Sequence, residues 1–191
     1  PAAPMLDQPG PRLIFTGQMD YAPNIAAAER AIGRILPLVR QQFPDATFHV
    51  VGRNPPEALL ARHGQDGAWV WGGVEDIREW LAAADLALVP LDLARGVQNK
   101  VLEAMAMALP VVLTPSAATG IGGTDGSHYA VAQGDDDLAE RVIALLHHRD
   151  QARQMGQEAR RFVVEGMSWQ ATLAPLAGML GMPEGRARHA A

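Results

Sequence analysis

The sequence contains no cysteine, which excludes both disulfide bonds and thiol chemistry. It also lacks blocks of basic residues: only Arg160 and Arg161 stand next to each other, and the net charge is −5. Because nucleic-acid backbones are bound by clustered cations, we expect no nucleic-acid partner. No apolar run reaches the ~18 residues of a membrane-spanning helix, and there is no secretory pattern. We therefore expect a cytoplasmic protein.

The composition of the sequence is that of a folded domain. Hydrophobic residues make up 48% of its 191 residues and charged residues 19%, which is enough apolar material for a substantial core. Short apolar runs alternate with helical patterns, which predicts an α/β, Rossmann-like three-layer fold with helices on both faces of a mainly parallel sheet. We predict six strands, at residues 12–16, 47–51, 69–71, 86–90, 111–113 and 129–132.

The predicted domain occupies residues 12–181. Residues 1–11 hold four prolines and are interpreted as a linker, and residues 182–191 as a flexible tail. The helix predicted at 24–42 should kink or split at Pro37, and three helices are predicted after Asp137, broken near Asp150 and near 166–168. Because the sequence does not begin with methionine, we expect it to be a piece of a longer protein.

The most informative segment is 95–112, which lies between two predicted strands. A short loop with Gly96 opens a helix that carries Lys100 and Glu103 in its first turns. The N-terminus of a helix favours anions, Lys100 adds a full positive charge, and the Glu103 carboxylate accepts hydrogen bonds from hydroxyls. A lysine that can bind phosphate, next to a carboxylate that can bind the two hydroxyls of a diol, is an arrangement suited to a nucleotide. The alternative is a solvated ion pair on an exposed helix face, which would contribute little.

Two further loops follow predicted strands and are candidates for the same site. The first runs from Gly17, which lets the backbone approach a ligand, to Asn24, which we expect to cap the next helix. In the second, Arg53 follows Gly52, and its guanidinium group is able to bind phosphate. The alternative is that Arg53 is an ordinary surface arginine, which is the more usual case. Since ligands of parallel sheets bind at the carboxyl ends of the strands, both loops are expected near Lys100.

The run Leu102-Glu103-Ala104-Met105-Ala106, followed by Pro110-Val111-Val112, resembles the donor-site motif of a known enzyme family. These are the group 1 (GT4-type) retaining glycosyltransferases, whose GT-B fold has two Rossmann-like domains. The resemblance implies that this chain is the C-terminal, donor-binding domain. It implies that Glu103 binds the ribose hydroxyls, that Lys100 neutralises the donor diphosphate, and that backbone groups of the 72–76 turn, Gly72 and Val74 among them, recognise the base.

The resemblance also implies a partner and an activity. The donor is a nucleotide-diphosphate sugar, and the acceptor is a saccharide or lipid-linked molecule held by a preceding N-terminal domain. Transfer retains the anomeric configuration and uses neither a metal nor a cofactor. The isolated fragment is therefore expected to be inactive, and the full-length protein is expected at the inner face of the membrane if it associates peripherally.

Two positions depart from the family pattern. The loop from Gly17 to Asn24 lacks the usual Arg and Lys, and resembles instead an exopolysaccharide-associated subgroup with a Gly-x-x-Asp-Tyr-x-Pro-Asn loop. The family often has a Glu-x7-Glu pair, whose first glutamate contacts the donor sugar. Here Glu103 is the second glutamate of the pair, and Arg95 stands eight residues earlier, where the first would be. An arginine accepts no hydrogen bonds from sugar hydroxyls, so either the sugar carries a different group, such as a carboxylate, or it is held in another way.

Several alternatives stay open at this point. A GT-B-fold sugar-nucleotide epimerase or an inverting transferase would share the architecture, although such enzymes as a rule lack the Leu-Glu-Ala-Met-Ala pattern. A non-catalytic nucleotide-binding module is a third possibility, but no Gly-x-Gly-x-x-Gly follows the first strand. We interpret Asp135, Asp136 and Asp137 as a helix start and not as metal ligands, and His128 as structural.

Overall fold

A six-stranded sheet forms the centre of the protein, in a computed structural model that describes residues 4–8 and 10–166. All neighbouring strands are parallel, in the order β3-β2-β1-β4-β5-β6. This confirms the predicted α/β class and sheet. The strands are β1 (Arg12–Thr16), β2 (Thr47–Val51), β3 (Ala68–Trp71), β4 (Leu86–Val89), β5 (Val111–Leu113) and β6 (Ala130–Val131).

Helices connect the strands and cover both faces of the sheet. They are α1 (Ala22–Arg30), α2 (Leu36–Gln42), α3 (Glu57–Leu60), α4 (Ile77–Ala83), α5 (Asn99–Ala106), α6 (Pro115–Ala118), α7 (Asp135–His147) and α8 (Arg149–Gly166). A 3₁₀ turn at Pro4–Asp7 lies against α4 within the segment predicted as a linker. The third helix predicted after Ser168 and the predicted tail lie outside the described residues.

The strands form where the sequence has short, nearly continuous apolar runs. Every residue of β2, β4 and β5 is buried, as expected for parallel strands that are covered on both faces. The core residues of α5 are Val101, Ala104 and Met105. Ala108 lies beyond the helix and has a left-handed backbone (φ 56°) that ends it.

Pro37 interrupts the first helical region as predicted. Residues Ala31–Ile35, between α1 and α2, form a π-helical turn that ends two residues before this proline. Proline has no N–H to donate to the preceding turn, and a wider turn accommodates that loss. The helix α6 was not predicted, because its four residues are too few to give a helical apolar pattern.

The order of the strands reverses between β1 and β4, which lie next to each other at the centre of the sheet. In open parallel sheets the connections leave in opposite directions at such a point, and a crevice forms at the carboxyl ends of the strands. Within the described residues, no helix is both long and apolar enough to cross a membrane.

Candidate functional site

A cleft of about 520 Å³ opens at the carboxyl ends of β1, β2 and β3 and at the start of α5. Its charged side chains are Arg53, Lys100 and Glu103, so it carries two cations and one anion in a chain whose net charge is −5. The lining consists of Thr16, Gly17, Gln18, Asn24, Val51, Gly52, Arg53, Gly73, Val74, Ile77, Gln98, Asn99, Lys100 and Glu103.

Residues that are far apart in the sequence meet in this cleft. The lining includes six of the nine candidate residues: Gly17, Asn24, Arg53, Val74, Lys100 and Glu103. Gly72, Arg95 and Gly96 are exposed and do not belong to the lining, although each is close in sequence to a residue that does.

Lys100 is the only lysine of the 191 residues, and its side chain is half-buried in the cleft. Its ammonium Nζ donates a hydrogen bond to Asn24 Oδ1 at 2.6 Å and lies 5.0 Å from the centre of the Phe15 ring. Burial lowers the pKa of Lys100 to about 8, and the nearby Glu103 carboxylate offsets only part of this effect. The ammonium form therefore predominates at neutral pH.

In the described part of the chain, no side chain caps the N-terminus of α5. Gln98 occupies the N-cap position but makes no capping bond. Its side-chain amide instead donates to the carbonyl oxygens of Arg95 and Gly96, each at 3.2 Å. Because the first N–H groups of a helix have no partner inside the helix, this end of α5 is suited to bind an anion together with Lys100.

Glu103 lies one turn further along α5 and is exposed. It makes no salt bridge with Lys100 within 4.0 Å, since the lysine points to Asn24. The alternative of a simple surface ion pair therefore does not describe these two residues. Among the residues that the structure describes, the Glu103 carboxylate has no salt-bridge partner, so it can accept hydrogen bonds from a ligand in the cleft.

The loops after β1 and β2 touch each other at the floor of the cleft. A side chain at Gly52 would overlap the carbonyl oxygen of Gly17, so this position requires glycine. Met19 N donates to Arg53 O at 2.7 Å. The Asp20 carboxylate accepts hydrogen bonds from Asn54 and from Gln18, which lower its pKa. The two loops thus form one connected wall.

The loop after β3 and the start of α4 form another wall of the cleft. The aliphatic part of the Arg53 side chain packs against one side of Gly73, where an added Cβ would lie 2.8 Å from Arg53 Cγ, while the glycine remains exposed. Val74 is half-buried and packs on the core, and Ile77 of α4 completes this end of the cleft. The end of the cleft at Val74 and Ile77 is therefore apolar with an arginine beside it, whereas the end at Lys100 and the start of α5 is polar.

The prediction that Asn24 caps the first helix is wrong. The helix α1 begins at Ala22, its N-cap is Tyr21, and Asn24 already lies in the first turn with its side chain in the cleft. The proline at the start of the helix supports this earlier beginning. Gln98 and Asn99 also line the cleft and were not predicted, although their position at the start of α5 was a usable signal.

Two other sequence interpretations can be compared with the geometry. Asp135 begins α7 and forms an ion pair with Arg30 at 2.5 Å, and His128 accepts a hydrogen bond from Thr124 N at 2.8 Å while its ring packs on Phe162. In the part of the chain that is described, no group of three histidine, aspartate or glutamate residues could hold a metal ion.

Comparison with known proteins gives one family. The family model described as "Glycosyl transferases group 1" matches residues 10–148. No curated protein sequence matches the chain.

Solved structures resemble the fold at low sequence identity. Staphylococcus aureus TarM, in complex with fondaparinux, alpha-GlcNAc-glycerol and UDP, has a TM-score of 0.73 and 18% identity, over 91% of this chain and 35% of that one. Anabaena HepE, in complex with UDP and glucose, has a TM-score of 0.68 and 14% identity, over 89% of this chain and 48% of that one.

A third structure is itself a single domain. The C-terminal domain of a glycosyl transferase group 1 family protein (LpcC) from Francisella tularensis has a TM-score of 0.67 and 20% identity, over 86% of this chain and 90% of that one. The chain thus spans less than half of the length of TarM and HepE, and nearly all of the isolated LpcC domain.

Proposed function

The chain belongs to the group 1 glycosyltransferases, and from this membership we propose that its cleft binds the nucleoside diphosphate of a sugar donor. The observation that carries the proposal is the Lys100 ammonium, which lies in the cleft at the N-terminus of α5, one turn from the Glu103 carboxylate. Among residues 10–166, neither this helix end has a side-chain cap nor this carboxylate a salt-bridge partner. This pairing offers a charge and N–H donors to phosphate, and an acceptor to hydroxyl groups.

The proposed orientation of the nucleotide follows from the chemistry of the walls. The diphosphate lies at Lys100 and the start of α5, with Arg53 as a second cation. The ribose hydroxyls donate to Glu103. The base lies toward Gly72, Gly73 and Val74, where glycine leaves the backbone accessible. The apolar surface of Val74 and Ile77 supports this end for a flat ring.

The proposed reaction is metal-independent, retaining transfer of the sugar. As the bond from the anomeric carbon to the diphosphate breaks, negative charge grows on the leaving oxygens. Groups that are fixed in place before the reaction stabilise such charge most effectively. Lys100, with its ammonium held by Asn24, and the N-terminus of α5 are the groups that we propose for this role; Arg53 adds to the charge. No cofactor is required.

We also propose that the complete enzyme is a two-domain GT-B protein of the GT4 type. This chain spans less than half of TarM and of HepE, which supports a further domain in the complete enzyme. We propose that this domain holds a saccharide or lipid-linked acceptor. The Gly17–Asn24 loop supports a role in exopolysaccharide synthesis. We place the full-length protein in the cytoplasm, with peripheral association at the inner face of the membrane.

The test is a thermal-shift panel of the 191-residue chain with UDP, GDP, ADP, CMP and NAD. Because TarM and HepE were crystallised with UDP, UDP is the first nucleotide to examine. A ligand at 100 times its dissociation constant adds about 2.7 kcal/mol of stability, which raises the melting temperature by several degrees. We expect one nucleoside diphosphate to give this shift and NAD to give none.

Three variants assign the shift to the cleft. Glu103→Ala and Lys100→Met should each abolish most of it, because they remove the ribose acceptor and the phosphate cation. Glu140→Ala is the matched control, since Glu140 is an exposed glutamate of α7 outside this cleft. A shift with NAD alone would favour the non-catalytic binding module. A nucleoside diphosphate shift that survives both cleft variants would contradict the proposed site.

A further inference from the structure

The side-chain amide of Asn24 joins two distant parts of the cleft. Nδ2 donates to the carbonyl oxygen of Gln18 at 2.9 Å, and Oδ1 accepts from Lys100 Nζ at 2.6 Å. The residue is only 5% exposed. Since the amide nitrogen and the amide oxygen each bond a group of the protein, we infer that Asn24 acts on the positions of its partners.

We propose that Asn24 is a positioning residue that holds Lys100 in the cleft as a cation with no ion-pair partner among the described residues. An amide oxygen fixes an ammonium group by a hydrogen bond without adding a negative charge. A carboxylate in the same place would form an ion pair and reduce the attraction for phosphate. The inference rests on the proposed function, because it assigns how the diphosphate site keeps its charge.

The surroundings of Lys100 support this assignment. The Phe15 ring under the ammonium contributes no formal charge. Glu103, on the same helix, makes no ion pair with Lys100, and Arg53 is the other cation of the cleft. The side chain of the single lysine is therefore held by one neutral amide and one aromatic face.

Gly17 makes room for this arrangement. A Cβ built on Gly17 would lie 2.9 Å from Asn24 Nδ2 and 3.2 Å from Lys100 Cε, both too close for an ordinary contact. The glycine at the end of β1, the asparagine of α1 and the lysine of α5 therefore form one packed unit. The loop from Gly17 to Asn24 contains no arginine or lysine, and through this unit α5 supplies the cation beside that loop.

The experiment measures the Lys100 titration and the UDP affinity in the same variants. Labelling with ¹³C-lysine gives a single side-chain Cε signal, because the chain has one lysine. The variants are Asn24→Asp, Asn24→Ala, Lys100→Met and the double variant Asn24→Ala with Lys100→Met. Circular dichroism and melting curves check that each variant is folded, and UDP affinity is measured by calorimetry at pH 7.

Two results are expected. In the ligand-free protein, Asn24→Asp should move the Lys100 titration upward by one pH unit or more, because a carboxylate stabilises the ammonium, and should weaken UDP binding at least tenfold. Asn24→Ala should weaken UDP binding about five- to tenfold in the unaltered background, and less than twofold when Lys100 is already Met. Such non-additivity is expected if Asn24 acts through Lys100.

Other results would overturn the inference. Equal losses from Asn24→Ala in both backgrounds would assign Asn24 a general structural role. Unchanged UDP affinity in Asn24→Asp would show that the lysine's charge is not what the asparagine preserves. Failure of the proposed function itself would look different, since no nucleoside diphosphate would then bind even the unaltered chain.

Discussion

His49 is a fully buried histidine in β2, and its two ring nitrogens have different partners. Nδ1 accepts a hydrogen bond from Trp71 Nε1 at 3.1 Å, and Nε2 lies 2.9 Å from Thr47 Oγ1. Because indole nitrogen only donates, the ring must be neutral with its proton on Nε2. Burial, together with the charge of Arg12, lowers the pKa of His49 to about 3.

This histidine should make the protein sensitive to acid. The unfolded chain binds a proton at His49 near pH 6.5, whereas the folded protein does so only near pH 3. Between these values the unfolded state binds more protons, so the free energy of unfolding falls as the pH falls, by up to ~1.4 kcal/mol per pH unit from this group. Urea unfolding at pH 7.5, 6, 5 and 4 measures this loss.

A variant separates this effect from the titration of carboxylates. His49→Gln keeps an acceptor for Trp71 but has no titratable group, so it should lose less stability between pH 6.5 and 4 than the unaltered protein. His148→Gln is the control, because His148 is exposed between α7 and α8. If His49→Gln loses stability on acidification as steeply as the unaltered protein, the buried imidazole is not the cause.

The residues of the cleft differ in how well they could be predicted. Lys100 and Glu103 stand in one helical turn, and their pairing is visible in the sequence. Asn24 is 76 positions away from Lys100, and its hydrogen bond to the lysine depends on how β1 and β4 lie side by side. From local patterns alone, a short polar residue before a predicted helix is interpreted as a helix cap. In the folded protein, tertiary packing instead places the Asn24 side chain against Lys100.

The helices α5 and α8 show how closely two elements are packed beside the site. Gly156 of α8 lies against the backbone of Ala108, just after α5, and Arg160 donates to the carbonyl oxygen of Ala106. These contacts fix the C-terminal end of the helix whose N-terminal end forms the anion site. Packing at one end of α5 therefore bears on the position of Lys100 at the other.

Gly156→Ala should be destabilising, although alanine normally favours helices. The added Cβ would overlap the Ala108 carbonyl oxygen, and forced overpacking of this kind costs about 1–3 kcal/mol. Gly33→Ala is the matched control, since Gly33 is a helical glycine with nothing within 4 Å of its added Cβ. It should be neutral or stabilising by up to about 1 kcal/mol. Urea unfolding compares the two, and equal effects would contradict the packing argument.

Whole elements were predictable where one apolar run coincides with one strand. The bounds of β1, β2 and β5 agree with the prediction to the residue, and β3 and β4 to within one. The helix α6 and the π-helical turn were not predictable in this way. The helix α6 is too short to give an apolar pattern, and the π-helical turn is a local adjustment of the helix before Pro37. The order of the strands in the sheet could not be predicted from local patterns either. The alternation of strand and helix patterns along the sequence predicted only that the sheet is mainly parallel.

At the scale of the whole molecule, the cleft lies at the carboxyl ends of the strands, and two of its three charged side chains are open to solvent. Glu103 and Arg53 are both exposed, so the described walls surround the proposed nucleotide on only part of its surface. Exclusion of water and delivery of an acceptor require further protein atoms on the open side.

We therefore predict that the 191-residue chain binds its donor but does not transfer the sugar. With UDP-glucose as the probe, the melting temperature should rise, whereas UDP release and transfer to added saccharides should stay at the level of a protein-free blank. The physical reason is that the cleft holds groups for the leaving diphosphate, while nothing described holds an acceptor against the anomeric carbon. The full-length protein, assayed in parallel, should release UDP. If the chain alone releases UDP, and Glu103→Ala abolishes this release, then the described walls are sufficient for the chemistry and the requirement for a second domain is wrong.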